Sequence, residues 1–358
     1  MLILSNIRTM KNNLLRKAPV TLLLLIISLF AFSQNKDSAD LFFQKGLLEK
    51  QNGRKMESLK QFEKALKYDT ANKAVLAELA IVYMDLRKYH KARETYKKLE
   101  QLGDNSAANY KQLLALSYNL KQEDDVMLYA RKLKQADPAE KVNYYIGKVH
   151  YDRDNYGEAV QVLTVAAEED PLNAEAPYMI ARSYASMRNY KQSIPYFQKA
   201  VALDTTKPYW IYEMALVYYA MNDAKNCLKY MLEAGNKGLR KNNDYMENLG
   251  IAYLDAGDLE NGLKIMNEIL KRKPSDINVL NMVAEACYYK GKYNEAIDYW
   301  DTILYYDKQN AAALYMIGMS YQKKGEKDKG QKLCDKAIEM DPSLSSLKQK
   351  KQMPGGGL

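Results

Sequence analysis

Histidine is nearly absent from this chain of 358 residues: only His90 and His150 occur, so His-based metal binding and acid–base chemistry have almost no material. Cysteine is scarce as well. Cys227, Cys287 and Cys334 are odd in number and widely spaced, which argues against a disulfide framework or a zinc site and for small buried hydrophobes. No Gly-rich phosphate loop, HExxH or GxSxG is present, and the acids at 123–125 and 168–170 fall where helix ends or turns are expected. The expectation is a non-enzymatic protein with no cofactor and no metal. Phe and Trp, six and two, are rare beside thirty Tyr, so most rings carry a hydroxyl that wants water or a partner.

Charge is close to balanced once the N-terminal stretch is set aside. The formal net charge is +9, of which Arg8, Lys11, Arg16 and Lys17 contribute four within residues 1–33, a segment without acids. Elsewhere Lys and acids alternate with no basic stripe, so nucleic acid is not an expected partner. Long apolar runs are missing with one exception, the thirteen residues from Val20 to Phe32. In a helix they reach about 20 Å, short of the ~30 Å hydrocarbon core. With basic residues before it and Ala31-Phe32-Ser33 after it, this run reads as a cleavable signal peptide over 1–33, cut after Ser33. A start at Met10 would give a more ordinary basic region than Met1. No Cys follows for a lipid anchor, so the expected location is the periplasm, the cell envelope or the exterior, with no membrane span left after removal.

What the chain has in quantity is repetition. "RKYHKARETY" at 87, "DNYGEAVQVL" at 154, "RNYKQSIPYF" at 188 and "GKYNEAIDYW" at 291 share one pattern. Small residues just ahead of a Tyr, namely Gly46, Ala80, Ala115, Gly147, Ala181, Ala215, Gly250, Ala284 and Gly318, are spaced by 34, 35, 32, 34, 34, 35, 34 and 34. Nine units of about 34 residues therefore fill 39–342. Within a unit, apolar residues recur at i, i+3, i+4 and i+7 on both sides of a breaker such as Gly257, which predicts two helices joined by a tight turn. Asp-Pro pairs at 137, 170 and 341 close several units. A second small set, Ser58, Ala92, Ala159, Ser193, Cys227, Gly262, Ala296 and Gly330, predicts where the paired helices cross at close range. Large residues four positions later, such as Phe62, Tyr96, Phe197 and Trp300, are expected to fill the space between units. The third unit appears one residue short near Val126. Residues 34–38 read as a linker, and 343–358 as a capping helix and disordered tail.

With Ala181, Tyr184, Ser193, Phe197 and Ala200 in the fifth unit, and Gly318, Tyr321, Gly330, Cys334, Ala337 and Pro342 in the ninth, the pattern resembles the tetratricopeptide repeat (TPR) family over about 300 residues. The resemblance implies an all-α fold, a right-handed superhelical α-solenoid of tandem helix-turn-helix repeats. It also implies a concave groove lined by the second, fifth, ninth and twelfth residues of each unit. The candidate partner-binding residues there are Tyr144, Lys148, Tyr151, Tyr178, Arg182, Tyr209, Tyr212, Tyr219, Tyr288, Tyr289 and Tyr315.

Tyr and Arg dominate binding hot spots, so such a groove suits a protein or peptide ligand, in particular an acidic, aromatic segment. The alternative for each ring is packing between repeats. Some members of the family grip a terminal carboxylate with Lys, Asn and Arg on consecutive first helices; that set is not reproduced around Lys148 and Arg182. The leading expectation is an exported interaction scaffold. A structural or assembly subunit of an envelope complex, with self-association, and a glycan or peptidoglycan binder are the alternatives.

Overall fold

A computed structural model describes residues 36–346, and among these the regular structure is helical, with no strand. The signal peptide, residues 34–35 of the linker and the tail beyond Ser346 lie outside the described residues, while residues 36–38, expected as linker, already belong to the first helix. The chain divides into two compact units after Asp170. Unit 1 contains α1 (36–51), α2 (Lys55–Tyr68), α3 (Lys73–Asp85), α4 (Tyr89–Gln101), α5 (Ala107–Asn119), α6 (Glu123–Ala136), α7 (Asn143–Asp152) and α8 (Tyr156–Glu169). Unit 2 contains α9 (Glu175–Ser186), α10 (Tyr190–Leu203), α11 (Pro208–Ala220), α12 (Ala224–Asn236), α13 (Asn243–Asp255), α14 (Leu259–Arg272), α15 (Ile277–Tyr289), α16 (Tyr293–Tyr306), α17 (Ala311–Lys323) and α18 (Lys327–Met340). A single 3-10 turn, Pro342–Leu344, stands where the capping segment was expected to begin. Odd and even helices pair into hairpins, four in unit 1 and five in unit 2.

Each hairpin turns in the same way. One residue per turn has a positive φ: Gly53, Arg87, Lys121, Asp154, Arg188, Asn222, Gly257, Gly291 and Gly325. The amide one residue further on then donates back to the first helix, as from Lys88 to Tyr83 (2.8 Å), Asn189 to Tyr184 (2.8 Å) and Asp258 to Tyr253 (2.9 Å). This satisfies carbonyls that the helix end leaves open. Five of the nine turn residues carry a side chain in a region that favours glycine, at a cost of about 1 kcal/mol each.

The second helices end on a recurring aspartate. Asp69, Asp137, Asp204, Asp307 and Asp341 take extended or near-extended backbone angles at the C-cap. Each carboxylate accepts the amide two residues on, at 2.9 to 3.2 Å. Several of the following first helices are capped by Asn, Ser or Asp, as where Asn242 accepts from Tyr245 N at 2.9 Å.

Small residues mark the helix crossings. Ala80, Ala92, Ala181, Ala215, Ala284 and Ala296 are fully buried. The Ser58 hydroxyl donates to the Gly46 carbonyl across the first hairpin at 2.8 Å. A Cβ placed on Gly147 would lie 2.6 Å from Leu163, and one on Gly318 would lie 2.8 Å from the Gly330 carbonyl. Such approaches are open to glycine alone.

The third hairpin corrects the register read from the sequence. Seven residues separate the small residue from the positive-φ residue in the other hairpins, as from Ala80 to Arg87. Counting back from Lys121 gives Leu114, which is buried, in place of Ala115, which is half-buried. Leu114 and Val126 thus occupy a crossing that elsewhere holds small side chains, and the residue lost from the period lies between Lys121 and Asp154.

In unit 1 one apolar core runs from Leu59 to Val149. In unit 2 one cluster is built around Phe197, Ile211, Met214 and Tyr245, and another around Met266, Val283, Trp300 and Ile317.

Candidate partner-binding face

The positions expected to line the groove, the second, fifth, ninth and twelfth of every repeat, lie on or just before the first helices. In unit 1 these positions hold Lys50, Lys111, Lys141 and Lys148 against a single acid, Asp40. In unit 2 they hold Glu175, Asp244, Glu247 and Glu285 against a single cation, Arg182.

On unit 1, Tyr144, Lys148 and Tyr151 are all half-buried on α7. Lys148 pairs with Asp152 one turn on (2.5 Å) and lies 5.7 Å from the Tyr151 ring centroid. The corrected register adds Tyr118 of α5, which sequence reading missed. Its ring meets Tyr145 edge-on at 5.1 Å and Tyr144 at 6.4 Å.

On unit 2, α9 and α11 bring Tyr178, Arg182 and Tyr209 around one carboxylate that sequence reading also missed. Glu213, with a side chain 13% exposed, accepts the Tyr178 hydroxyl at 2.7 Å and faces Arg182 Nε at 3.4 Å. Tyr209 lies close enough to interact with it electrostatically. Burial pushes the Glu213 carboxyl above its ordinary value, while Tyr178, Arg182 and Tyr209 pull it down. The Arg182 guanidinium lies over the Tyr178 ring at 5.8 Å, and that ring stacks on Trp210 at 4.4 Å. A lone acid between aromatic residues in mid-helix gives no pattern to search for; only the turn-to-turn offset of about 35 residues between Tyr178 and Glu213 hints at the contact.

Arg182 therefore faces a built-in carboxylate, so the cation that an acidic partner was expected to meet in unit 2 already has a counter-charge within the chain. Two candidate rings also prove to be packing residues: Tyr212 (9% exposed), whose hydroxyl accepts from Asn248 Nδ2 at 2.6 Å, and Tyr315 (5% exposed). Tyr288 is half-buried against Trp300 at 6.0 Å. Tyr209, Tyr219 and Tyr289 remain 53%, 48% and 75% exposed. Among the described residues no group of three or more His, Cys, Asp or Glu could hold a metal ion, and no helix is long and apolar enough to cross a membrane. Burial raises the thiols of Cys227 and Cys287 to about 11, in keeping with inert packing.

Comparison with known proteins places these hairpins among helical repeat proteins. Residues 43–112 and 311–344 match tetratricopeptide repeat families, and residues 119–200 match the family of anaphase-promoting complex, cyclosome, subunit 3. Superkiller complex protein 3 of Mus musculus is 24% identical over 196 residues, which is 52% of this chain and 12% of that protein. The chain thus spans about an eighth of that relative's length. Among solved structures, the TPR protein YrrB, described as having an unusual peptide-binding site, is 21% identical, with 53% of this chain and 98% of that one covered at a TM-score of 0.42. Naa15/Naa10 bound to HypK-THB is 15% identical, with 87% and 59% covered at a TM-score of 0.47. With its nine hairpins on a 34-residue period, the chain is a tetratricopeptide repeat protein, and its fold is that of a protein–protein interaction scaffold.

Proposed function

We propose that this protein is an exported scaffold that holds a segment of a partner protein on its first-helix faces and does so without chemistry of its own. The observation that carries the reading is the set of accessible rings on unit 2, Tyr209, Tyr219 and Tyr289, each on or at the end of a first helix. Large rings that lose few rotamers on binding are suited to anchoring a partner. Export is supported by the sequence of residues 1–33.

A photoreactive residue at Tyr219, which is accessible where Tyr212 is not, is expected to crosslink a discrete partner in living cells. Tyr209→Ala is expected to weaken that complex by about 2 kcal/mol and leave the melting curve unchanged. A complex crosslinked from position 219 that survives this substitution at full strength would refute the proposal. Cell fractionation and the N-terminal sequence of the mature chain test export separately: a cytoplasmic protein that retains residues 1–33 would rule it out.

A further inference from the structure

Between α13 and α15 lies a cleft of about 230 Å³. This is room for one long side chain. Its floor and walls are apolar, formed by Ile251, Leu254, Leu259, Met282 and Ala286, and the Tyr289 ring stands at its edge. Two carboxylates line it, Asp255 and Glu285, together with one cation, Lys290. Asp244 and Glu247 lie on the same first-helix face of α13.

Glu285 is held in place from the core. The fully buried Trp300 donates Nε1–H to Asn281 Oδ1 at 2.9 Å, and Asn281 Nδ2 donates to Glu285 Oε1 at 2.9 Å. A surface carboxylate fixed by a relay that begins at a buried indole has lost much of the freedom it would otherwise give up on binding. The exposed face of Tyr289 offers a cation–π surface beside it. An apolar slot, a fixed carboxylate, a second acid and an open ring together match the stem and head of a Lys or Arg side chain.

We propose that this cleft takes a basic, amphipathic segment of the partner protein: an apolar or Lys/Arg stem enters between Ile251, Leu254 and Met282, and a cationic head rests on Tyr289 within the field of Glu285 and Asp255. The inference rests on the first-helix face being the partner-binding face, and it replaces the acidic segment expected from the sequence.

The test uses the full chain and two fluorescent peptides, one built of Lys and Leu with a single Trp, the other its twin with every Lys replaced by Glu. Anisotropy should show the basic peptide binding, more weakly at about 0.5 M NaCl than at low salt, and no binding of the acidic twin. Asp255→Lys with Glu285→Lys should raise the dissociation constant of the basic peptide by about tenfold or more. Both positions are exposed, so the variant should melt like the parent. Tyr289→Ala gives a second, uncharged readout and should weaken binding several-fold.

A basic peptide that fails to bind, binds the charge-reversed variant as well as the parent, or is matched by its acidic twin overturns the proposal. If crosslinking from position 219 still depends on Tyr209 in that event, the first-helix face stands and only the basic character of its occupant falls.

Discussion

In α1–α8 the side chains that join one hairpin to the next are mostly charged, whereas in α9–α18 they are largely aromatic rings and amides. Arg93 pairs with Asp125, Lys132 with Glu100, Lys50 with Glu78, and Arg153 with Glu123 and Asp124 at 2.8 and 2.7 Å. In the second unit the corresponding links are Tyr178 on Trp210, Tyr212 with Asn248, and Tyr299 to Asn267 at 3.1 Å, with Arg182–Glu213 as an ion pair between repeats. Repeats on one 34-residue frame can be stapled by Coulomb attraction or by rings, and the two differ in what they respond to. Ion pairs at the surface, such as Arg153 with Glu123, are worth 0 to ~1 kcal/mol and fade with salt, whereas Arg93 and Asp125, with side chains 13% and 22% exposed, are screened less. Ring contacts bury area and hold.

The sharpest break in that comparison should come from Trp300, fully buried on α16 against Tyr288 of α15. Trp300→Ala is expected to cost about 3–5 kcal/mol. Hydrogen exchange should show the loss in α13–α18 with α1–α8 unaffected, and equal loss in both units would contradict the division at Asp170.

A smaller effect, of opposite sign, should come from the turns. Arg188→Gly removes a side chain from a positive-φ position and is expected to stabilise by up to about 1 kcal/mol, less the chain entropy glycine brings to the unfolded state. Gly291→Arg should do the reverse, and urea midpoints that do not separate the two would show that the turns are unstrained.

The smallest effect concerns salt. Both tryptophans, Trp210 and Trp300, lie in the second unit, so their fluorescence follows it alone. At ~1 M NaCl the Debye length falls to about 3 Å. Amide protection should then drop in α2–α8 by a few tenths of a kcal/mol per pair while the tryptophan-detected transition stays in place.

The repeat was legible because its period depends on backbone needs: a small residue where helices cross and a turn residue with positive φ. It slipped at the third unit, where Leu114 and Val126 fill the crossing and the neighbouring Ala115 mimics the expected residue. Of the candidate rings, Tyr209, Tyr219 and Tyr289 are accessible, and Tyr212 and Tyr315 are buried in a way the sequence did not show. Tyr212 and Tyr219 lie two turns apart on one helix face yet differ fivefold in exposure, because Tyr245 and Asn248 of the next repeat cover the first. Glu213 was missed for the same reason: its role comes from Tyr178 and Arg182, one repeat earlier, and nothing local announces it.

The nine turn residues are not distributed at random along the chain. Glycine holds the first and the last three, while Arg87, Lys121, Asp154, Arg188 and Asn222 hold the five between. The bends that hold a side chain at positive φ thus come in one uninterrupted run of five hairpins, and each of them is a place where glycine could relieve the backbone.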